Sequence, residues 1–178
     1  MSILEKTTQS ILHLTSARLA VRNAADCITG LEAIMADEKT MELYPQFIHS
    51  PERCTEQFLA LLEQHGIFVF PFADKQTNEI IGFITLNNVA EEELQIEIGY
   101  FLLSSHWGKG FAREIVAALL SHLRDLGWRR VMASLYSGNH ASERLLKSFQ
   151  FELVEIIKDK YTINGRTHDD IIYALGLA

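Results

Sequence analysis

The stretch from Leu94 to Leu126, LQIEIGYFLLSSHWGKGFAREIVAALLSHLRDL, changes its hydrophobic period once, and that change constrains the fold more than any other feature. Leu94, Ile96, Ile98, Tyr100 and Leu102 alternate with Gln95, Glu97, Gly99 and Phe101, the period of a strand with one apolar face. From Ala112 onward the period is helical. Ala112, Val116, Leu119, Leu123 and Leu126 share one side, with Arg113, Glu114, Ser121, His122, Arg124 and Asp125 opposite. Between strand and helix lies Trp107-Gly108-Lys109-Gly110-Phe111-Ala112, with small residues at the helix entrance. A turn of this kind leaves backbone N–H groups unpaired at the positive end of a helix dipole, which suits a phosphate or pyrophosphate. It is equally the form of a tight strand-to-helix connection with no ligand. It is neither a P-loop, since no Gly-Lys-Ser/Thr follows, nor G-x-G-x-x-G, since the third glycine is absent.

A chain of 178 residues is expected to form one α/β domain over 1–178, with residues 1–12 as a short extension. Its 48% hydrophobic and 22% charged residues are globular values. A net charge of −7 argues against nucleic acid or an anionic membrane as the main partner. Cys27 and Cys54 have no metal-ligand spacing and fit a reducing compartment. No apolar run reaches the roughly 18 residues of a membrane span, and the polar EKTTQS near the start is unlike a signal peptide. The expectation is a soluble cytoplasmic protein, monomeric or homodimeric.

His13 to Arg22 reads as a first strand, and Asp26 as the N-cap of a helix through Leu31, Ile34 and Met35. Ser50-Pro51 opens a further helix that Gly66 ends. Ile67–Phe72 and Glu79–Leu86 read as paired strands, and Asn87–Glu93 as an acidic turn. After the central helix, Gly127 is the stop signal and Arg130–Tyr136 a strand. Ser137-Gly138-Asn139 leads to a short helix with Ala141, Leu145, Leu146 and Phe149 as its apolar face. Phe151–Thr162 and His168–Leu175 form a hairpin at Asn164-Gly165. The result is a mixed sheet, mostly antiparallel, with one parallel crossover at the glycine turn.

Three segments in order, Glu97-Ile98-Gly99-Tyr100, Trp107 to Ala112, and Asn139-x-Ala141-Ser142 followed by Phe149-Gln150-Phe151, resemble the GNAT superfamily of N-acetyltransferases. More narrowly they resemble its branch that acetylates the N-terminal alanine or serine of ribosomal proteins. The likeness runs from about Leu14 to Leu175. It implies a GNAT fold in which a splayed parallel strand pair holds acetyl-CoA. The family's pyrophosphate signature falls on Trp107, Gly108, Lys109, Gly110, Phe111 and Ala112, although Trp107 stands where Gln or Arg is usual. Backbone groups of Phe101, Leu102 and Leu103 are implied to run beside the pantetheine arm, with Asn139 on the opposite wall.

The implied reaction is attack of an amine on a thioester, which needs a base, a donor for the carbonyl oxygen and an acid for the leaving thiolate. Glu97 is the candidate base; a strand-face glutamate bound to a neighbour is the alternative. The family's acid is a tyrosine on the last helix, but Leu146 stands there, and Ser142 is the substitute the ribosomal branch points to. Ser142 reads equally as a hydroxyl bonded within its helix turn. A free α-amine costs only about 1 kcal/mol to deprotonate at pH 7, against roughly 4–5 for a lysine. A modest carboxylate base therefore suits a protein N-terminus. The acceptor would be chosen by loops at Glu38–Ser50 and Thr162–Asp169. Other readings are acetylation of a polyamine, amino acid or aminoglycoside, or a non-catalytic acyl-CoA-binding domain.

Overall fold

The computed structural model describes residues 1–42, 56–163 and 165–177. In chain order the helices are α1 (Ile3–Ser10), α2 (Ile28–Ala36), α3 (Glu38–Met41), α4 (Glu56–Gln64), α5 (Phe111–Leu126) and α6 (His140–Ser148). The strands are β1 (Leu19–Val21), β2 (Phe68–Asp74), β3 (Ile80–Ala90), β4 (Gln95–Leu102), β5 (Arg130–Tyr136), β6 (Glu152–Ile163) and β7 (Arg166–Gly176). The strands form one sheet in the order β1-β2-β3-β4-β5-β7-β6, and among the described residues only β4 and β5 pair in parallel.

The alternation along β4 divides the core. Ile96, Ile98 and Leu102 join Ile115, Val116, Leu119 and Leu123 of α5, together with Leu146 of α6. Phe101, stacked on Phe83 at 4.2 Å, joins Leu31, Ile34 and Met41. Burial of these apolar faces, at about 25 cal/mol per Å² removed from water, is what makes the sheet a stable platform.

Residues 3–10 of the N-terminal extension form α1, which packs against the domain. Ser2 and Glu5 form a reciprocal capping box at the start of α1, and Thr7 and Ile11 are fully buried. The Trp128 indole N–H donates to Thr7 Oγ1 at 2.9 Å. The polar Thr7 interrupts what would otherwise read as an apolar stripe, so the segment looks like a tail until Trp128 supplies the partner.

The first strand is also shorter than its pattern implies. Ile11–His13 is a 3-10 turn, and only Leu19–Val21 is strand, with an isolated bridge from Thr15 to Ala20. Asn23, not Asp26, caps the next element, accepting from the Ala25 N–H at 3.1 Å, and a 3-10 turn over Ala24–Cys27 precedes α2. β3 continues to Ala90, through residues expected as a turn. Ala141 is exposed, and Leu146 is the buried anchor of α6. The Ser50-Pro51 helix start and Cys54 lie outside the described residues.

Candidate active site

β4 and β5 pair at only three positions, Gln95↔Arg130, Ile96↔Val131 and Glu97↔Met132, although both strands continue. Beyond Glu97, β4 stays bonded to β3 as far as Leu102, and β5 stays bonded to β7 as far as Tyr136. The two strands therefore part, each with its other edge occupied, and the edges facing the gap can bond an extended ligand.

Glu97 sits at the fork. Its Oε1 accepts from the Ser134 hydroxyl at 2.9 Å, and its Oε2 accepts from Asn88 Nδ2 at 2.6 Å. Asn88 has a φ of 46°, within an irregular stretch of β3 opposite Glu97. The carboxylate is thus a bound neighbour and an oriented one at once. Two acceptor sites are filled, and a carboxylate has about four.

The far end of β4 is tied down. Leu103 N–H donates to Ile81 O at 2.9 Å, and Leu103 O accepts from His106 N–H at 2.9 Å. Leu102 O accepts from the Trp107 indole N–H at 2.8 Å and lies 3.0 Å from Thr40 Oγ1. Of the main-chain groups expected beside a pantetheine arm, these three are taken, and ladder alternation turns the Leu102 N–H toward β5. Trp107, unusual at its position, serves the turn itself. Phe101 contributes a buried ring to the core.

Asp37 holds the same corner. It accepts from Ser104 N–H at 2.6 Å, Ser104 Oγ at 3.0 Å and Thr40 Oγ1 at 3.0 Å. Burial alone would raise its pKa, but these donors hold it below the ordinary aspartate value.

The turn then enters α5 through Gly108 and Gly110, with φ of 74° and 81°. Gly110 is the N-cap residue, and no side chain caps the helix. The Phe111, Ala112 and Arg113 N–H groups have no intrahelical acceptor and face the positive end of a 16-residue helix. The carboxylate of Glu114, which could fold back on these amides, is committed elsewhere. It accepts from Ser16 Oγ, Arg18 N–H and Arg18 Nε, each at 2.6 Å. Burial favours its neutral form, but these donors and the Arg18 charge bring its pKa below the usual glutamate value.

Arg18 is the residue that local pattern misses here. Its guanidinium lies 4.2 Å from the Phe111 ring centroid and donates to Lys109 O at 3.1 Å. It brings positive charge to the turn from 90 or more residues away in sequence. Arg113, by contrast, bonds Ser148 Oγ at 2.7 Å and covers Phe149. Lys109 is exposed.

On the opposite wall, Asn139 is buried. Its Oδ1 caps α6 by accepting from Ser142 N–H at 3.1 Å, while its Nδ2 has no hydrogen-bond partner among the described residues. Ser142 is half-buried, and its hydroxyl makes no hydrogen bond with another described residue. α6 packs through Leu146 on the sheet face that bears Ile96 and Ile98, whereas Glu97 is on the other face, and no hydrogen bond joins Glu97 and Ser142. Leu146, where a phenol would stand, is in the core.

The parted strands, the Asn139 side-chain amide and the uncapped α5 amides offer groups suited to a long ligand with an amide-bearing arm and a phosphate end. Residues 18–152 match the Acetyltransferase (GNAT) domain family. The chain is 29% identical over 170 residues to the N-acetyltransferase YoaA of Bacillus subtilis strain 168, covering 91% of this chain and 95% of that one. It is 31% identical over 134 residues to the ribosomal-protein-serine acetyltransferase of Escherichia coli K12, covering 74% of each. The structure of RimL, a ribosomal-protein alpha-N-acetyltransferase in complex with coenzyme A, superposes with a TM-score of 0.78 at 24% identity, covering 94% of this chain and 98% of that one. The chain is a member of the GNAT acetyltransferase family, an N-acetyltransferase whose co-substrate is acetyl-CoA.

Proposed function

We propose that this enzyme acetylates the α-amine of a protein N-terminus in the cytoplasm, with Glu97 as the general base. The observation that carries the reading is the pair of hydrogen bonds, from Ser134 and Asn88, that hold the Glu97 carboxylate where β4 and β5 part. Acetyl-CoA supplies an acyl thioester.

The chain's own groups receive it. Uncapped amides of Gly108 to Ala112, with Arg18 beside them, take the pyrophosphate. Trp107 and Lys109 frame that turn. Leu102 N–H, on a strand end shaped by Phe101 and Leu103, bonds the pantetheine arm, and the unpartnered Asn139 Nδ2 bonds it from the other wall.

Glu97 takes the proton of the incoming ammonium, directly or through one water. The amine nitrogen forms a bond to the acyl carbon, the carbon–sulfur bond breaks, and its electron pair leaves on sulfur. The nitrogen's second proton passes to that sulfur through the Ser142 hydroxyl, which gives its own proton and takes one back, so that CoA leaves as the thiol. A carboxylate suits an α-amine, whose deprotonation at pH 7 costs about 1 kcal/mol, better than a lysine.

Turnover on a panel tests this reading. It comprises peptides with a free N-terminus, the same peptides blocked at the N-terminus but carrying lysine, and polyamines. The free N-terminus should be the best acceptor. Robust acetylation of the blocked peptides would overturn the assignment.

A further inference from the structure

Among the described residues Tyr136 Oη is buried with no hydrogen-bond partner, and the mechanism above does not use it. Tyr136 ends β5 and is 7% exposed. Buried hydroxyls are nearly always paired, and an orphan is costly where phenylalanine would pack equally well.

Its surroundings hold the ring in place. Tyr161 packs edge-on with centroids 5.0 Å apart, and His168 does so at 6.1 Å. Asp170, directly across the ladder from Tyr136, is buried and already paired with Lys160 Nζ at 2.6 Å. That lysine also lies 5.2 Å from the Tyr161 ring centroid. A register shift in β6, with Asp159 at a φ of 52°, precedes Lys160 and Tyr161, and Asp169 clamps it through Asp159 N–H and Lys158. Bulges of this kind re-aim side chains beside functional sites.

The phenol shares a sheet face with Glu97. Ser134, which bonds Glu97, is two residues before Tyr136 on β5, a rise of about 6.7 Å. The ring's neighbours, Tyr161 and His168, come from β6 and β7, on the side of β5 away from the gap. Burial, together with Tyr161 and Asp170, pushes its pKa well above the ordinary tyrosine value. It therefore keeps its proton as a standing donor and is a poor acid toward a thiolate, whose thiol titrates near about 8.5.

We propose that Tyr136 is a specificity-determining donor, its hydroxyl bonding the carbonyl oxygen of the first residue of a peptide whose α-amine faces Glu97. The inference rests on the N-terminal acetyltransferase reading and gives it a chemical basis for choice of acceptor. A peptide end carries a carbonyl oxygen about 3 Å from its amine. An alkyl polyamine has no such oxygen and leaves the hydroxyl orphaned. Sites built around a hydrogen bond reject analogues that lack the partner.

The test compares wild type and Tyr136→Phe, using a short free-N-terminus peptide and spermidine as acceptors. The expected result is a fall of about 10-fold or more in the ratio of peptide to spermidine kcat/KM, carried mainly by the peptide KM. CoA affinity by calorimetry should be unchanged, and thermal stability without ligand unchanged or higher, because the hydroxyl has no partner to lose. An equal loss for both acceptors would overturn the proposal by making the phenol a cofactor or structural group. An unchanged ratio would overturn it as well. Wild-type enzyme that acetylates spermidine but no peptide would refute the N-terminal reading itself, before Tyr136 is altered.

Discussion

Ser134 donates a hydrogen bond to Glu97 across the parallel pair β4–β5, two residues beyond Met132, the last β5 position that pairs with β4. The contact replaces the next rung of a ladder with a side-chain bond. It orients a carboxylate at the mouth of the gap without closing that gap. Loss of Ser134 alone would remove one of the two bonds that orient the carboxylate, Asn88 keeping the other, while leaving the strands in place.

Glu97→Gln keeps shape and hydrogen bonding but cannot accept the amine proton. The rate should fall 10²–10⁴-fold, about 3–5 kcal/mol of barrier. The deficit should shrink as pH rises, because more of the amine then arrives neutral. Steady-state kinetics across the pH range check this. A large loss of CoA affinity would instead assign Glu97 a structural role.

Ser142→Ala should lower kcat with less pH dependence than Glu97→Gln, since it removes a donor to sulfur and not the base. The Asn139 Oδ1 cap accepts from the Ser142 main-chain N–H and so survives the change. Stability should therefore stay within about 0.5 kcal/mol of wild type, measured by denaturant titration.

Gly110→Asp should abolish detectable CoA binding by calorimetry while the protein remains folded. The new side chain adopts an unfavourable φ of 81°, at a cost of about 1–2 kcal/mol. Its charge would cap the α5 amides and repel a phosphate there. Unchanged CoA affinity would place the cofactor elsewhere.

Glu114→Gln tests the tie between the β1 approach and α5. The folded-state pKa of Glu114 is depressed, so its stabilising contribution is present above the unfolded value of about 4.3 and is lost as pH falls through the folded value. The variant should be less stable than wild type by about 1–3 kcal/mol at pH 7. The two should converge at a pH well below 4, which denaturant titrations at several pH values would show.

Gln150 holds a φ of 67° just after α6, a conformation that glycine adopts without strain. Gln150→Gly should stabilise the protein by about 0.5–1 kcal/mol, after allowing for the extra freedom glycine has when unfolded. A rise of about 1–4 °C in Tm would register it.

Hydrophobic period, turn residues and glycine placement act over a few neighbours, and the chain alone determined what they encode. The β4–turn–α5 unit, the Gly127 stop, the β5 span and the β6–β7 hairpin are legible on that basis. The motif order from Glu97 to Ser142 likewise marks the family. Long-range partners are not legible. Thr7 looks like a polar tail residue until Trp128 meets it, and Asp37 looks solvated until Ser104 and Thr40 surround it. Arg18 reaches the glycine turn, and Tyr136 becomes an orphan donor, only because strands distant in sequence are packed side by side. Where β4 and β5 stop pairing is likewise a tertiary decision. It follows from each strand being held by its outer neighbour, β3 or β7, and no local pattern in either strand records it.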